Sequence, residues 1–214
     1  MYNNCIKRAL DIIISSFALL VLSPLFLIIS FIIKAEDCGP IIFKQKRIGK
    51  DKKIFYLYKF RSMKTDTPDI PTHLLENPEQ YISRIGKFIR KTSIDELPQM
   101  LNILKGNMSV VGPRPALWNQ DDLIAERDKY GVNSVRPGLT GWAQINGRDE
   151  LEIPVKARLD GDYVKILNKG GVLAFGMDVK CFLKTIFSVL RSDGVVEGGT
   201  SEIKKRETAG SARK

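Results

Sequence analysis

Histidine is almost missing from this chain, with His73 alone among 214 residues. It lies in Ile70-Pro71-Thr72-His73, a proline-flanked stretch that reads as surface loop, so acid and base chemistry near neutral pH falls to carboxylates. Cysteine is scarce too. Cys5, Cys38 and Cys181 are odd in number, widely spaced and without a C-x-x-C pair, which speaks against a disulfide framework or a zinc site and suits a reducing, cytosol-facing setting. Neither a G-x-x-x-x-G-K-S/T loop nor a G-x-G-x-x-G turn occurs, and this argues against a nucleoside triphosphatase or a Rossmann dinucleotide site. No internal repeat is visible. Acidic charge falls short of basic, 24 Asp and Glu against 34 Lys and Arg, and a pI near 9.5 suits anionic partners. Nucleic acid is not expected among them. It calls for lysines interleaved with aromatics, and the one such stretch, Lys44 to Arg61 with Phe55, Tyr56 and Tyr58, has a strand alternation that explains its aromatics equally well.

Charge is absent altogether from the 22 residues between Ile12 and Ile33. At about 1.5 Å per residue such a helix reaches about 33 Å, enough for a hydrocarbon core of about 30 Å. The run is long for a signal-peptide core and lacks a small-x-small cleavage site before Lys34. Ser23-Pro24 divides it near the middle. Pro24 cannot donate to the carbonyl of Leu20 and pushes Ser23 away from helical angles, which predicts a break, with the Ser23 hydroxyl available to cover exposed backbone. Basic residues flank both ends: Lys7 and Arg8 before, and Lys34, Lys44, Lys46, Arg47 and Lys50 after. Two arrangements accommodate them. One is a kinked spanning helix oriented by the larger downstream charge; the other turns back at Ser23-Pro24 and leaves both flanks on the cytosolic side.

Downstream, Pro40 to Lys46 and Ile54 to Phe60 are rich in β-branched and aromatic residues and are joined across Gly49-Lys50-Asp51, the pattern of a hairpin. Thr65 to Pro78 reads as loop, and a helix follows over about Pro78 to Lys91. Leu97, Met100, Leu101 and Leu104 recur at i, i+3, i+4 and i+7 ahead of Gly106, predicting a short amphipathic helix with Asp95 and Glu96 in its first turn. Another helix spans about Gln120 to Lys129. Pro113, Pro115, Pro137, Gly112, Gly138, Gly141 and Gly147 make the centre of the chain loop-rich, where binding residues tend to be presented. Phe175, Val179, Phe182, Leu183, Ile186, Phe187 and Leu190 form one helical stripe, for which core packing is the commoner explanation and a place in a lipid interface the alternative. After Val196 the residues are small, polar and charged, which predicts a disordered tail. The fold expected is α+β and mainly helical: a broken membrane helix over 1–36, a compact unit over 37–196 with a small β-hairpin and several amphipathic helices around a loop-rich site, and a tail over 197–214.

Ser93-Ile94-Asp95-Glu96 matches the capping box S-x-x-E, in which Ser93 and Glu96 satisfy free amides while Asp95 complements the helix dipole. A carboxylate so placed is also held ionised, the state a nucleophile or metal ligand needs. Arg114 sits between fixed prolines in Gly112-Pro113-Arg114-Pro115, and Arg136-Pro137-Gly138 and Gly147-Arg148 place two more arginines beside turn residues. A guanidinium fork suits phosphate oxygens, although each arginine alone is an ordinary surface charge. Asp160-Gly161-Asp162 has the Asp-x-Asp form that many metal-dependent glycosyltransferases use, a pattern frequent by chance and here without an alternating strand-helix series around it.

Five motifs occur in order. They are Lys7-Arg8 before an apolar run broken at Ser23-Pro24; Tyr58-Lys59-Phe60-Arg61-Ser62-Met63; Asp95-Glu96-Leu97-Pro98-Gln99; Val111-Gly112-Pro113-Arg114-Pro115; and the stretch from Arg136-Pro137-Gly138 through Gly141-Trp142 to Gly147-Arg148. Together, over about residues 1 to 195, they resemble the bacterial sugar transferases known as monotopic phosphoglycosyl transferases, and the chain looks like their minimal type. The resemblance implies a re-entrant helix in the bacterial inner membrane with catalysis on the cytosolic face. It also implies that Asp95, aided by Mg²⁺ that it helps to bind, attacks the β-phosphate of a UDP-sugar, releasing UMP and leaving a covalent phosphosugar. Polyprenyl (undecaprenyl) phosphate then displaces that sugar phosphate, the first membrane step of glycoconjugate assembly. Glu96 would assist as acid or base. Arg114 is the leading phosphate binder, with Lys59, Arg90 and Arg148 behind it, and Arg61, Arg136 and Asp160 stand at family-pattern positions. Short members point to an N-acetylated amino sugar. Two competing expectations remain: a membrane-tethered basic anion-binding module in which Asp95 and Glu96 only cap a helix, and a conventional glycosyltransferase using Asp160 and Asp162.

Overall fold

The fully buried side chains of the first helix are polar while many of its apolar ones face outward, the reverse of a soluble protein's surface helix. The computed structural model describes residues 2–68, 77–147 and 151–191; His73, Arg148 and the tail expected over 197–214 lie outside the described residues. After a π-helical turn over Tyr2–Ile6, α1 (Lys7–Val21) buries Lys7, Asp11 and Ser15, spaced i, i+4 and i+8, and exposes Ile13, Phe17 and Leu20. α2 (Ser23–Glu36) follows at a bend of 61°. The bend has the local cause its sequence predicts. Pro24 falls in the first turn of α2, where its missing N–H has no partner to lose, and Ser23 Oγ donates to the freed Leu20 carbonyl at 2.8 Å. At 15 and 14 residues the two helices reach about 22 and 21 Å. Among the described residues no single helix is long and apolar enough to cross a membrane, whereas this bent pair together has the length and composition.

Both ends of the pair are fastened to the rest of the chain. At the first end Lys7 Nζ and the Tyr2 hydroxyl each donate to Asp178 Oδ2 at 2.6 Å, and the Tyr163 hydroxyl donates to Oδ1 at 2.8 Å. Arg8 donates to the carbonyls of Ile103 and Leu104, and Asp11 Oδ1 accepts from Ser109 Oγ and Val110 N. Lys7 and Arg8 are therefore docking groups rather than solvated flanking charges. At the second end Glu36 accepts from the N–H groups of Arg84 and Ile85, and Asp37 accepts from Thr65.

β1 (Ile42–Ile48) and β2 (Ile54–Phe60) form the expected antiparallel hairpin, with Ile42 opposite Phe60 and Ile48 opposite Ile54. The open edge of β2 is completed by a side chain: buried Asn102 accepts from Tyr58 N and donates to the Tyr56 carbonyl. The helix expected over 78–91 is split into α3 (Pro78–Tyr81) and α4 (Arg84–Lys91), because Ser83 caps α4 by accepting from Gly86 N. α5 (Gln99–Leu104) starts later than expected, after Pro98, and turns a different face inward. Met100 and Ile103 are buried, while Leu101 of the predicted stripe is exposed.

The centre of the chain is not all loop. β3 (Ser109–Val111) and β4 (Gly138–Thr140) pair in parallel, Ser109 opposite Gly138 and Val111 opposite Thr140. A Cβ on Gly138 would stand 2.0 Å from Gly112 N, so this approach of two backbones requires glycine. Helices α6 (Asp121–Asp128), α7 (Ile153–Lys169) and α8 (Gly171–Arg191) follow. Core packing does not explain the predicted stripe on α8. The helix buries Ala174, Met177, Asp178 and Cys181, and leaves Phe175, Val179, Phe182, Leu183, Ile186 and Phe187 exposed; the Leu190 side chain lies outside the described residues. One core gathers Phe55, Leu57, Ile103, Met108, Tyr163 and Cys181, and a second packs Ile29 and Ile33 of α2 on Phe60 and Ile89. The result is a mainly helical chain with a small antiparallel hairpin.

Asp178 is the buried carboxylate that ties the start of α1 to α7 and α8. Asp178→Ala leaves the Lys7 ammonium buried without its partner and should cost about 3–5 kcal/mol. The double variant Lys7→Met/Asp178→Leu should recover most of that loss. Urea unfolding in detergent measures both, and a single-variant loss below about 1 kcal/mol would contradict the docking role.

Candidate active site

Asp95 and Glu96 stand in a single 3-10 turn, Ile94–Glu96, between α4 and α5. The capping box does not form. Ser93 has a left-handed backbone (φ 56), its N–H donates to the Arg90 carbonyl at 3.0 Å and the Glu96 N–H donates to the Ser93 carbonyl at 3.2 Å, so neither side chain caps the other's amide. Pro98 then separates the turn from α5. The carboxylates are thus not held at a helix N-terminus, and their ionisation is governed by other neighbours.

For Glu96 those neighbours are cations from two distant segments. Lys59 Nζ, on β2, and Arg114 Nη2, on the loop after β3, each donate to Glu96 Oε1 at 2.9 Å. Burial acts to raise the Glu96 carboxyl, but Arg114 and Lys59 outweigh it and hold the group well below the usual carboxylate range. Asp95 is 8% exposed, and Lys59 Nζ stands 3.9 Å from its Oδ2, an ion-pair rather than a hydrogen-bond distance. Burial pushes Asp95 up to about 6; Lys59 opposes this and the Glu96 charge adds to it. Two adjacent carboxylates therefore have separated behaviour, one clamped as an anion and one poised near neutrality, as acid-base and nucleophilic sites require.

Arg90, on α4, donates from Nε to Ser62 Oγ at 2.8 Å, and its charge also acts on Asp95. α4 lies this close because residue 86 is glycine; a Cβ there would stand 2.0 Å from the Ser62 carbonyl oxygen. The structure thus gathers Lys59, Arg90 and Arg114 around the dyad. It does not bring Arg61, Arg136 or Asp160 to it. Arg61 turns toward Asp37, donating to its carbonyl, and Arg136 Nε donates to the Gly106 carbonyl at the end of α5. Asp160 is buried against Arg127, while Asp162 pairs with Lys165 at 3.7 Å. Residues two apart on a helix diverge by about 200°, so on α7 the two aspartates cannot converge on a metal.

Sequence reasoning missed Arg127 and Arg47, which hold the backbone of the Arg114 loop through its carbonyls. The only signal was weak: Arg127 shares the buried face of α6 with Leu123, a charge where an apolar residue is the norm. Among the described residues no three His, Cys, Asp or Glu side chains cluster as metal ligands. Mg²⁺ needs less, since it takes one or two carboxylates and completes its shell with substrate phosphates and water. Asp95 with Glu96 beside it fits that habit.

Residues 2–192 match the family model described as Bacterial sugar transferase. The chain belongs to the bacterial sugar transferase family. It is 40% identical over 190 residues to the uncharacterized sugar transferase EpsL of Bacillus subtilis (strain 168), covering 89% of this chain and 90% of that protein. Against the UDP-glucose:undecaprenyl-phosphate glucose-1-phosphate transferase of Escherichia coli (strain K12) identity is 37% over 193 residues, covering 86% of this chain and 40% of the relative. It is 36% over 192 residues against the UDP-N-acetylgalactosamine-undecaprenyl-phosphate N-acetylgalactosaminephosphotransferase of Aeromonas hydrophila, covering 88% and 44%. The chain spans less than half the length of these last two relatives. The family likeness carried by the five ordered motifs is borne out.

A carboxyl whose folded-state value, about 6, lies above the ordinary 3.8 favours the folded state only while protonated. That preference is complete below about 3.8 and is lost as pH rises through about 6. Asp95→Asn should therefore melt no lower than the parent protein at pH 8, with the difference shrinking toward pH 4. A helix cap would instead lose about 0.5–2 kcal/mol, so a clearly lower melting temperature of the variant at pH 8 would contradict the burial account.

Proposed function

We propose that the chain transfers a sugar phosphate from a UDP-sugar to undecaprenyl phosphate, with Asp95 as a covalent nucleophile. The observation that carries this reading is the split dyad, in which Glu96 takes the hydrogen bonds of Lys59 and Arg114 and leaves Asp95 desolvated but ionisable. The names of the Escherichia coli and Aeromonas hydrophila relatives support the reaction class. The capping geometry on which a non-catalytic binding module rested is missing, so that reading no longer accounts for the dyad.

At pH 7 a carboxyl with a value of about 6 is about nine-tenths ionised. One Asp95 oxygen forms a bond to the β-phosphorus of the donor while the bond from that phosphorus to the bridging oxygen breaks, and the electron pair leaves with UMP. The chain then carries the sugar phosphate as a mixed anhydride on Asp95. An oxygen of undecaprenyl phosphate attacks the same phosphorus, Asp95 departs as carboxylate, and the product is the undecaprenyl diphosphate sugar. Splitting the transfer lets one site serve a soluble donor and a lipid acceptor in turn. Neither displacement moves a proton, so Glu96 is not needed as an acid or base. Held ionised, it keeps Lys59 and Arg114 beside Asp95, where charge develops on the phosphates. When bound at Asp95, Mg²⁺ would supply further neutralisation of the diphosphate. For the donor we favour an N-acetylated amino sugar, on the likeness to short family members. The Aeromonas relative's name carries such a sugar and the Escherichia coli relative's carries glucose.

A re-entrant placement at the cytosolic face of the bacterial inner membrane has support in the fastening of α1 and α2. Lys7, Arg8 and Asp11 at one end and Glu36 and Asp37 at the other dock on the same folded unit, and a spanning helix would carry them to opposite faces. Cys5 and Cys38 flank the pair and are both exposed. A membrane-impermeant maleimide should leave both unlabelled in spheroplasts and label both in inside-out vesicles; labelling of Cys5 from outside would contradict this placement.

The full chain, given a panel of UDP-sugars without acceptor, should release UMP, and Asp95→Asn should abolish the release. The rate should climb as pH rises through about 6 and level off above it, because the carboxylate is the reacting form. Release of UDP instead would point to direct glycosyl transfer, and full turnover by Asp95→Asn would rule out the nucleophile.

A further inference from the structure

Arg114 reaches Glu96 from a loop, and a guanidinium on a flexible stem can be aimed only if its backbone is fixed. The carbonyls of that loop are taken one by one. Pro113 O accepts from Gly138 N at 2.9 Å, Arg114 O from Arg127 Nη1 at 2.9 Å, Pro115 O from Arg47 Nη1 at 2.9 Å, and Ala116 O from Ile48 N at 3.0 Å. Arg127 is itself locked. Its Nε and Nη2 donate to Asp160 Oδ2 at 3.0 and 2.6 Å, and the two residues are 4% and 1% exposed. All three guanidinium nitrogens of Arg127 are thus engaged, two on a buried carboxylate and one on the peptide that carries Arg114.

Stability alone explains such a pair poorly. Two charges lose their hydration on burial, and apolar residues of similar volume often serve folding as well or better. What an apolar pair cannot do is hold a carbonyl by a charged donor. We infer that Asp160 and Arg127 are positioning residues for Arg114, fixing its peptide so that its guanidinium meets Glu96 and the donor's phosphates. Asp160 acts from within α7 and touches no substrate. The role rests on the function proposed above, since it serves that reaction.

The test compares UMP release by the full chain in nanodiscs for Arg127→Lys and for Arg127→Met/Asp160→Leu, each in the parent and in an Arg114→Ala background. A lysine keeps the charge beside Asp160 but cannot also span to the Arg114 carbonyl, and the apolar pair removes the clamp outright. In the parent, kcat should fall about tenfold to a hundredfold, the scale of a small misplacement of a binding group. In the Arg114→Ala background the same changes should cost less than about twofold, the non-additivity of residues that act through one another. The apolar double variant carries the comparison if the lysine variant does not fold. Equal losses in the two backgrounds, or full kcat in a folded double variant, would overturn the clamp while leaving the reaction standing. A parent that releases no UMP from any UDP-sugar would instead overturn the reaction, and the clamp's role with it.

Discussion

One carboxylate oxygen, Glu96 Oε1, holds the candidate site together. It accepts from Lys59 and Arg114 at 2.9 Å each, and so joins the second hairpin strand, the turn before α5 and the proline-flanked loop after β3. Charge-assisted bonds of this kind are short and strong, and they gain further where water is partly excluded. Their arrangement decides the chemistry of the neighbour. Because Glu96 satisfies both cations, Asp95 keeps a buried carboxylate whose charge is only partly offset, which is why burial can raise it to about 6.

The same logic of pairing governs how the bent helix pair meets the folded unit. Lys7, Asp11 and Ser15 are the fully buried residues of α1, while Ile13, Phe17 and Leu20 face outward. Polar docking works here because each buried charged group meets a partner, Asp178 for Lys7 and the β3 backbone for Asp11. At the far end, Glu36 receives the first N–H groups of α4, the helix that carries Arg90 toward Asp95. The bent helix pair and the dyad are therefore joined by a short run of contacts, an arrangement that would suit the proposed transfer between a water-soluble donor and a lipid acceptor.

Features with local causes were legible in the sequence. The break at Ser23-Pro24 follows from a missing N–H, and the hairpin over Ile42–Phe60 from alternation around a turn. The dyad, Lys59 and Arg114 came through ordered motifs and Arg90 through the resemblance those motifs carry, and the structure places them together. What stayed hidden depends on partners far along the chain. The S-x-x-E pattern suggests a cap, but Lys59 and Arg114 draw Glu96 elsewhere, and Pro98 delays the helix. Asp160 stood out only as half of an Asp-x-Asp pattern and as a family-pattern position, and its partner Arg127 lies far along the chain; the α8 stripe announced an apolar face without saying whether that face would meet protein. Helical periodicity identifies a face and leaves open what covers it.

The central claim is that Asp95 becomes covalently loaded. Intact-protein mass spectrometry after incubation with the UDP-sugar alone, followed by fragmentation, addresses it most directly. The account predicts a gain equal to one sugar phosphate, located on Asp95, matched by released UMP and discharged on adding undecaprenyl phosphate. UMP release with Asp95 unmodified, or a sugar phosphate located on another residue, would contradict it.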